Sequence, residues 1–172
     1  MTAHPLDRPV WAALTTRQRG LAEGDARALR FAPAYGVFAA AVDQAPDSLA
    51  ALARLIPAEG QVALVEAEAG PDIRGTTVAS RAVIWQMAAP VLTADEEPDF
   101  AIAPLTEADA PQMLSLATLT RPGPFFARTH QLGDFVGVKR DGRLLAMAGE
   151  RMKPDGFTEV SGVCMAPECR GR

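Results

Sequence analysis

Three strand-like segments follow one another near the end of the chain, and their joints constrain the fold more than anything else in it. DFVGVKR (134–140) and RLLAMAGERM (143–152) are separated by Asp141-Gly142. That dipeptide is the strongest two-residue hairpin signal, because a type I′ turn needs positive φ at both central positions. FTEVSGVCM (157–165) follows after Lys153-Pro154-Asp155-Gly156. Two short joints in succession permit only antiparallel neighbours, since a parallel pair needs a crossover of a dozen or more residues. Residues 134–165 therefore read as a three-stranded antiparallel meander.

The segment before it supplies a helix. Thr106 with Asp109 has the spacing of a capping box, and Met113, Leu116 and Ala117 follow on one helical face. Pro111 sits far in for that start, which shifts the expected first turn. FAIAPL (100–105) reads as a short strand, and RPGPFF (121–126) breaks the helix into a loop. Upstream, PVLTADEEPD (90–99) holds two prolines and four acids and is the best linker.

The first ninety residues follow another pattern. Asp7 and Pro9 fit the start of a helix over residues 8–22 that Gly24 closes. YGVFAAAV (35–42), DSLAALARLI (47–56) and QVALVEA (61–67) read as strand, helix capped by Asp47 or Ser48, and strand, which favours parallel pairing. VASRAVIWQMAA (78–89) holds a further expected strand, with Trp85 and Met87 expected in the core. The organisation is thus an N-terminal α/β domain over 1–90, a linker over 91–99 and a second unit over 100–172.

Composition narrows the function classes. Of the 172 residues 48% are apolar and 22% charged, a globular balance. No run of 18 apolar residues suggests a membrane helix, and MTAHPLDRPVW has no basic flank and apolar stretch to suggest a secretory signal. The net charge of −4 divides unevenly: residues 1–100 carry 8 Lys and Arg against 13 acids, residues 101–172 carry 9 against 8. Neither half is a polycation, which argues against a nucleic-acid partner. Two cysteines make no disulfide framework, so a reduced cytoplasm is expected. Arginine outnumbers lysine heavily and alanine is abundant, a bias of GC-rich bacterial genomes.

The chemistry gathers at the end of the meander. TEVSGVCMAPECRGR, residues 158–172, runs from an apolar strand through Pro167 into Arg170-Gly171-Arg172. With the order strand, helix, Pro-rich loop and meander, it resembles the GNAT superfamily of acyl-CoA N-acyltransferases over about residues 100–172. The family signature is a strand ending near a proline, then R/Q-x-x-G-x-G/A and a long helix; Arg170, Gly171 and Arg172 match its first three positions. The resemblance implies an α+β fold, a mixed sheet containing the antiparallel meander, here incomplete and preceded by a small α/β domain that is itself a candidate degenerate half of the same kind. It implies acetyl-CoA as co-substrate and no metal. A Gly-rich turn before a helix forms an anion nest, which suits the coenzyme A pyrophosphate. By the same resemblance the backbone of Val163, Cys164 and Met165 holds pantetheine and the acetyl carbonyl, and Arg170, Gly171 and Arg172 the phosphates. The chain is accordingly expected to be a fragment cut inside that loop, with any tyrosine acid lying beyond it; Tyr35 is not that acid.

Candidate side chains follow. If 153–156 is a four-residue hairpin loop, Glu150 faces Glu159 across the strand pair, and such carboxylates repel unless a cation or a proton intervenes. Some family members carry a general-base glutamate early in this strand, where Glu159 stands, so Glu159 is the expected base and Glu150 an amine-binding group; two solvated acids on an open face are the alternative. Arg128, His130, Phe125 and Phe126 lie where the family covers the acceptor. Arg128 is a candidate for substrate binding, the Phe pair fits packing roles, and His130 reads as structural or exposed rather than catalytic. Cys164 reads as a small strand residue rather than a nucleophile, and the C-x₄-C spacing to Cys169 does not make a zinc site. Two functions stand: acetyl transfer from acetyl-CoA to a primary amine of a small molecule or peptide by direct attack, or a non-catalytic binding or dimerisation module. An open edge on residues 159–165 would invite a homodimer or aggregation.

Overall fold

The computed structural model describes residues 4–91 and 98–171. Helix α1 spans Pro9–Thr15, with proline in its first turn, where the missing N–H removes no helical bond. The helix is shorter than its sequence pattern: a 3₁₀ turn occupies Arg19–Leu21 and the chain then enters strand β1, Ala22–Gly24. β1 pairs antiparallel with β2 (Ala28–Phe31), and β2 with β3 (Ala39–Ala41). Gly24, at φ 128°, makes the β1–β2 turn: a Cβ there would lie 2.1 Å from the Ala28 carbonyl oxygen.

Helix α2, Pro46–Leu55, also starts on a proline and has no side-chain cap, in place of the Asp47 or Ser48 cap expected. Its Ala51 and Leu52 bury against Ala28, Ala39 and Ala41, small residues that let helix and sheet approach closely. The expected strand over 61–67 contracts to one bridge, Ala63 beside Phe38, yet that bridge is parallel. The N-terminal sheet is thus mainly antiparallel, because residues 22–31 supply two strands that the sequence reading leaves unassigned.

No helix or strand forms between Leu55 and Ala103 among the described residues. Trp85 and Met87, expected in the core, are 90% and 96% exposed. The physical reason is pairing: a strand needs a neighbour's open backbone, and none of the described strands pairs with residues 78–89. Most of the expected linker, residues 92–97, lies outside the described residues.

Downstream, the Thr106–Asp109 capping box is present, and it caps a 3₁₀ turn, Glu107–Asp109. Helix α3, Ala110–Thr120, begins after that turn, which puts Pro111 harmlessly in its first positions. Strands β4 (Ala103–Pro104), β5 (Phe135–Arg140), β6 (Arg143–Glu150) and β7 (Val160–Met165) form one antiparallel sheet in that order. Asp141 and Gly142 hold φ of 51° and 76°, the type I′ geometry expected of the dipeptide. Met113, Leu116 and Ala117 of α3 bury against Phe135, Leu144, Met147 and Ala166.

The N-terminal unit is fastened to this sheet. Val10, Leu14, Phe31 and Phe38 share one buried cluster with Leu132 and Met152. Buried Gln18 donates to the carbonyls of Leu132 (3.1 Å) and Arg151 (2.7 Å) and accepts from the Lys153 amide (2.9 Å). All hydrogen-bonding capacity of the Gln18 carboxamide but one lone pair is thereby used across the junction. No helix of the described residues is long and apolar enough to cross a membrane.

Candidate active site on strand β7

β7 lies at the edge of its sheet, with one side of its backbone unpaired by any described strand. Its ladder with β6 is interrupted. Met147 pairs with Cys164 and Gly149 with Ser161, so Ala148 alone faces both Gly162 and Val163. That is a β-bulge, a feature that bends a strand and frees backbone groups from the ladder. Gly162 takes φ 64° at the bulge, a left-handed conformation that glycine adopts without strain. The edge of the Phe135 ring lies under it, 3.2 Å from where a Cβ would sit.

A cavity of about 450 Å³ opens beside the bulge. Val163, Cys164, Met165 and Arg170 line it together with Thr120, Pro122 and residues of β5 and β6. Four of the six positions that the sequence pointed to for coenzyme A binding therefore converge on one hollow. Gly171 follows at φ 73°, the left-handed turn that an anion nest uses, and Arg172 lies outside the described residues. The donor set fits the group: unpaired strand backbone for amide-like atoms, apolar walls for a thin acyl chain, and a guanidinium near a Gly turn for phosphate. The Cys164 thiol is pushed up by burial and hydrogen-bonds Thr120, which suits a lining residue better than a nucleophile.

The expected carboxylate pair does not form. Glu150 pairs with Val160, so Glu159 stands opposite Arg151. The loop between β6 and β7 is longer than four residues, and the one-residue change of register turns the two acids to opposite faces. Glu150 instead meets Lys153 at 2.7 Å and accepts from the Asp134 amide at 3.0 Å; hydrogen bonding to Lys153 is the foremost cause holding its carboxyl below the usual range. Glu159 receives Nε of Arg151 at 3.0 Å on Oε2 and Nη2 at 2.6 Å on Oε1. The Met152 amide adds a third donor to Oε2 at 3.3 Å.

Among the other candidates, Arg128 stacks on Tyr35 at 4.8 Å and donates to Gln131, away from the cavity lining. The His130 side chain is buried, with its Nε2 2.8 Å from Glu107. Phe125 packs edge-on against Phe135 with ring centroids 5.9 Å apart, and both border a narrow cleft with Pro124, Arg151, Ser161 and Gly162. Phe135, Arg151 and Gly162 are the residues sequence reasoning missed. Gly162 alone carried a signal, being an isolated glycine inside an apolar strand.

No family model matches the sequence, and no curated protein matches it. A solved structure does: a crystal structure of a protein from Novosphingobium aromaticivorans DSM 12444, assigned there to the acetyltransferases of the GNAT family. It is 43% identical, superposes with a TM-score of 0.82, and is matched over 99% of this chain and 75% of its own. At that identity over nearly the full length, the chain belongs to the GNAT family of acetyltransferases.

Proposed function

We propose that this chain carries an N-acetyltransferase site that moves acetyl from acetyl-CoA to a primary amine of a small molecule or peptide. The observation that carries the reading is the convergence of Val163, Cys164, Met165 and Arg170 on one hollow beside the β7 bulge. The backbone of residues 163–165 would hold pantetheine and the acetyl carbonyl, and its N–H groups would favour the oxyanion that develops there. Arg170 and Gly171 would hold phosphate, with Arg172 as their extension. Glu159, one residue before β7, is the proposed base: it takes the proton that the amine loses as the C–N bond forms and the C–S bond breaks, directly or through a water. Glu150 and Arg128, engaged with Lys153 and Tyr35, have no place in this step. Free Cys164 and Cys169 suit a reducing bacterial cytoplasm.

Thiol release from acetyl-CoA tests this across a panel of spermidine, lysine, 2-phenylethylamine and a short unblocked peptide. Glu159→Gln should lower the amine-dependent rate by about 10²–10⁴-fold, the usual contribution of a general base. An unchanged rate would remove Glu159 from the mechanism, and no release with any amine would remove the function.

A further inference from the structure

The N-terminal unit reaches the candidate base through the side chain of Arg151. Arg151 belongs to the segment between β6 and β7, and its guanidinium grips Glu159 through two hydrogen bonds. That guanidinium also lies over the ring of Phe38 of the N-terminal unit, 4.6 Å from the ring centroid. A cation over an aromatic face is attracted by the ring quadrupole, more so when desolvated, and this arginine is 17% exposed. Its backbone is held as well, because Gln18 donates to the Arg151 carbonyl and accepts from the Lys153 amide. Phe38 is itself fixed by the bridge to Ala63 and by the shared cluster that includes Met152.

The fork determines what Glu159 can do. A carboxylate oxygen offers two lone-pair sites. Oε2 has both engaged, by Nε of Arg151 and the Met152 amide. Oε1 accepts one hydrogen bond among the described residues, from Nη2, and so keeps one site open. A planar guanidinium holds the carboxylate in one orientation, which an ammonium cannot do.

We infer that Arg151 is a positioning residue, locked by Phe38 and Gln18 of the N-terminal unit, that aims the single open lone pair of Glu159 at the acceptor's proton. The inference rests on the proposed acetyltransferase reading, and it assigns the N-terminal unit a part in acetyl transfer. Truncating Phe38 should then impair chemistry without impairing donor binding, since Phe38 does not line the cavity.

The experiment compares wild type, Phe38→Leu, Phe38→Tyr and Arg151→Lys in thiol release, using acetyl-CoA and the best amine of the panel. Misaiming a catalytic group from a distance reduces kcat by about ten- to a hundredfold. Phe38→Leu and Arg151→Lys should show that loss with KM for acetyl-CoA unchanged, and Phe38→Tyr, which keeps the ring, should restore it. The Arg151 Hε proton provides an activity-independent reading. Its exchange with water should be slow in wild type and Phe38→Tyr, and fast in Phe38→Leu and Glu159→Gln. Wild-type kcat in both Phe38→Leu and Arg151→Lys overturns the inference while leaving the function standing. So does Arg151 Hε exchange indifferent to Phe38. A chain that releases no thiol with any amine overturns both.

Discussion

Gly162 is where backbone strain and packing meet, and replacing it separates the two. At φ 64°, alanine pays the left-handed penalty of about 1–2 kcal/mol. Its Cβ would also lie 3.2 Å from the Phe135 ring, tighter than most Cβ contacts, so the ring must yield. It has little freedom to do so. A Cβ on Gly149 would sit 2.2 Å from the same ring, which already lies close over that glycine, and Phe125 packs against it edge-on. Overpacking of this kind adds about 1 kcal/mol, for a total of roughly 2–3 kcal/mol. In a chain of this size that lowers Tm by roughly 5–10 °C. Gly156 is the control: its φ is 75° and a Cβ there meets nothing within 4 Å, so Gly156→Ala should show the backbone penalty alone. Thermal and urea unfolding of both variants, followed by circular dichroism, gives the difference, and Phe135→Leu in the Gly162→Ala background should recover part of it. Equal losses at the two glycines would refute the ring contact. No loss at Gly162 would refute the bulge.

Two other perturbations read out the junction and the helix cap. Gln18→Leu removes three hydrogen bonds at a buried site and leaves two carbonyls and the Lys153 amide unpaired, a loss of about 3 kcal/mol in urea unfolding; a loss below about 0.5 kcal/mol, typical of a surface position, would show that the junction is not closed by this residue. Asp109 is held below its ordinary 3.8 chiefly by a hydrogen bond from Lys139, then by the Thr106 amide. A carboxyl lowered on folding stabilises above its unfolded pKa, and that stability is lost as pH falls through the folded one. The Tm difference between wild type and Asp109→Asn should therefore be full at neutral pH and shrink below about pH 4. A difference constant down to pH 2 would contradict the assignment.

The meander, its type I′ turn, the capping box and the arginine–glycine turn are all local in origin. Each depends on a handful of neighbouring residues with a conformational requirement, such as positive φ at Asp141 and Gly142, so the sequence by itself determined them. The same is true of the face that α3 buries, since its period is written in Met113, Leu116 and Ala117. Register was different. Whether Glu159 meets Glu150 or Arg151 depends on a loop length that propensities do not specify, and one residue of slip exchanged a repelling pair for an ion pair. Strands β1 and β2 escaped notice because a short strand is defined by its partners rather than by its own residues. For the reverse reason, residues 78–89 carry strand-like apolar residues but form no strand among the described neighbours. Only the tertiary structure could decide these points, and with them the site's inner wiring: Phe38, Gln18 and Arg151 stand far apart in the chain, and long-range packing alone brings their short-range forces to bear on Glu159.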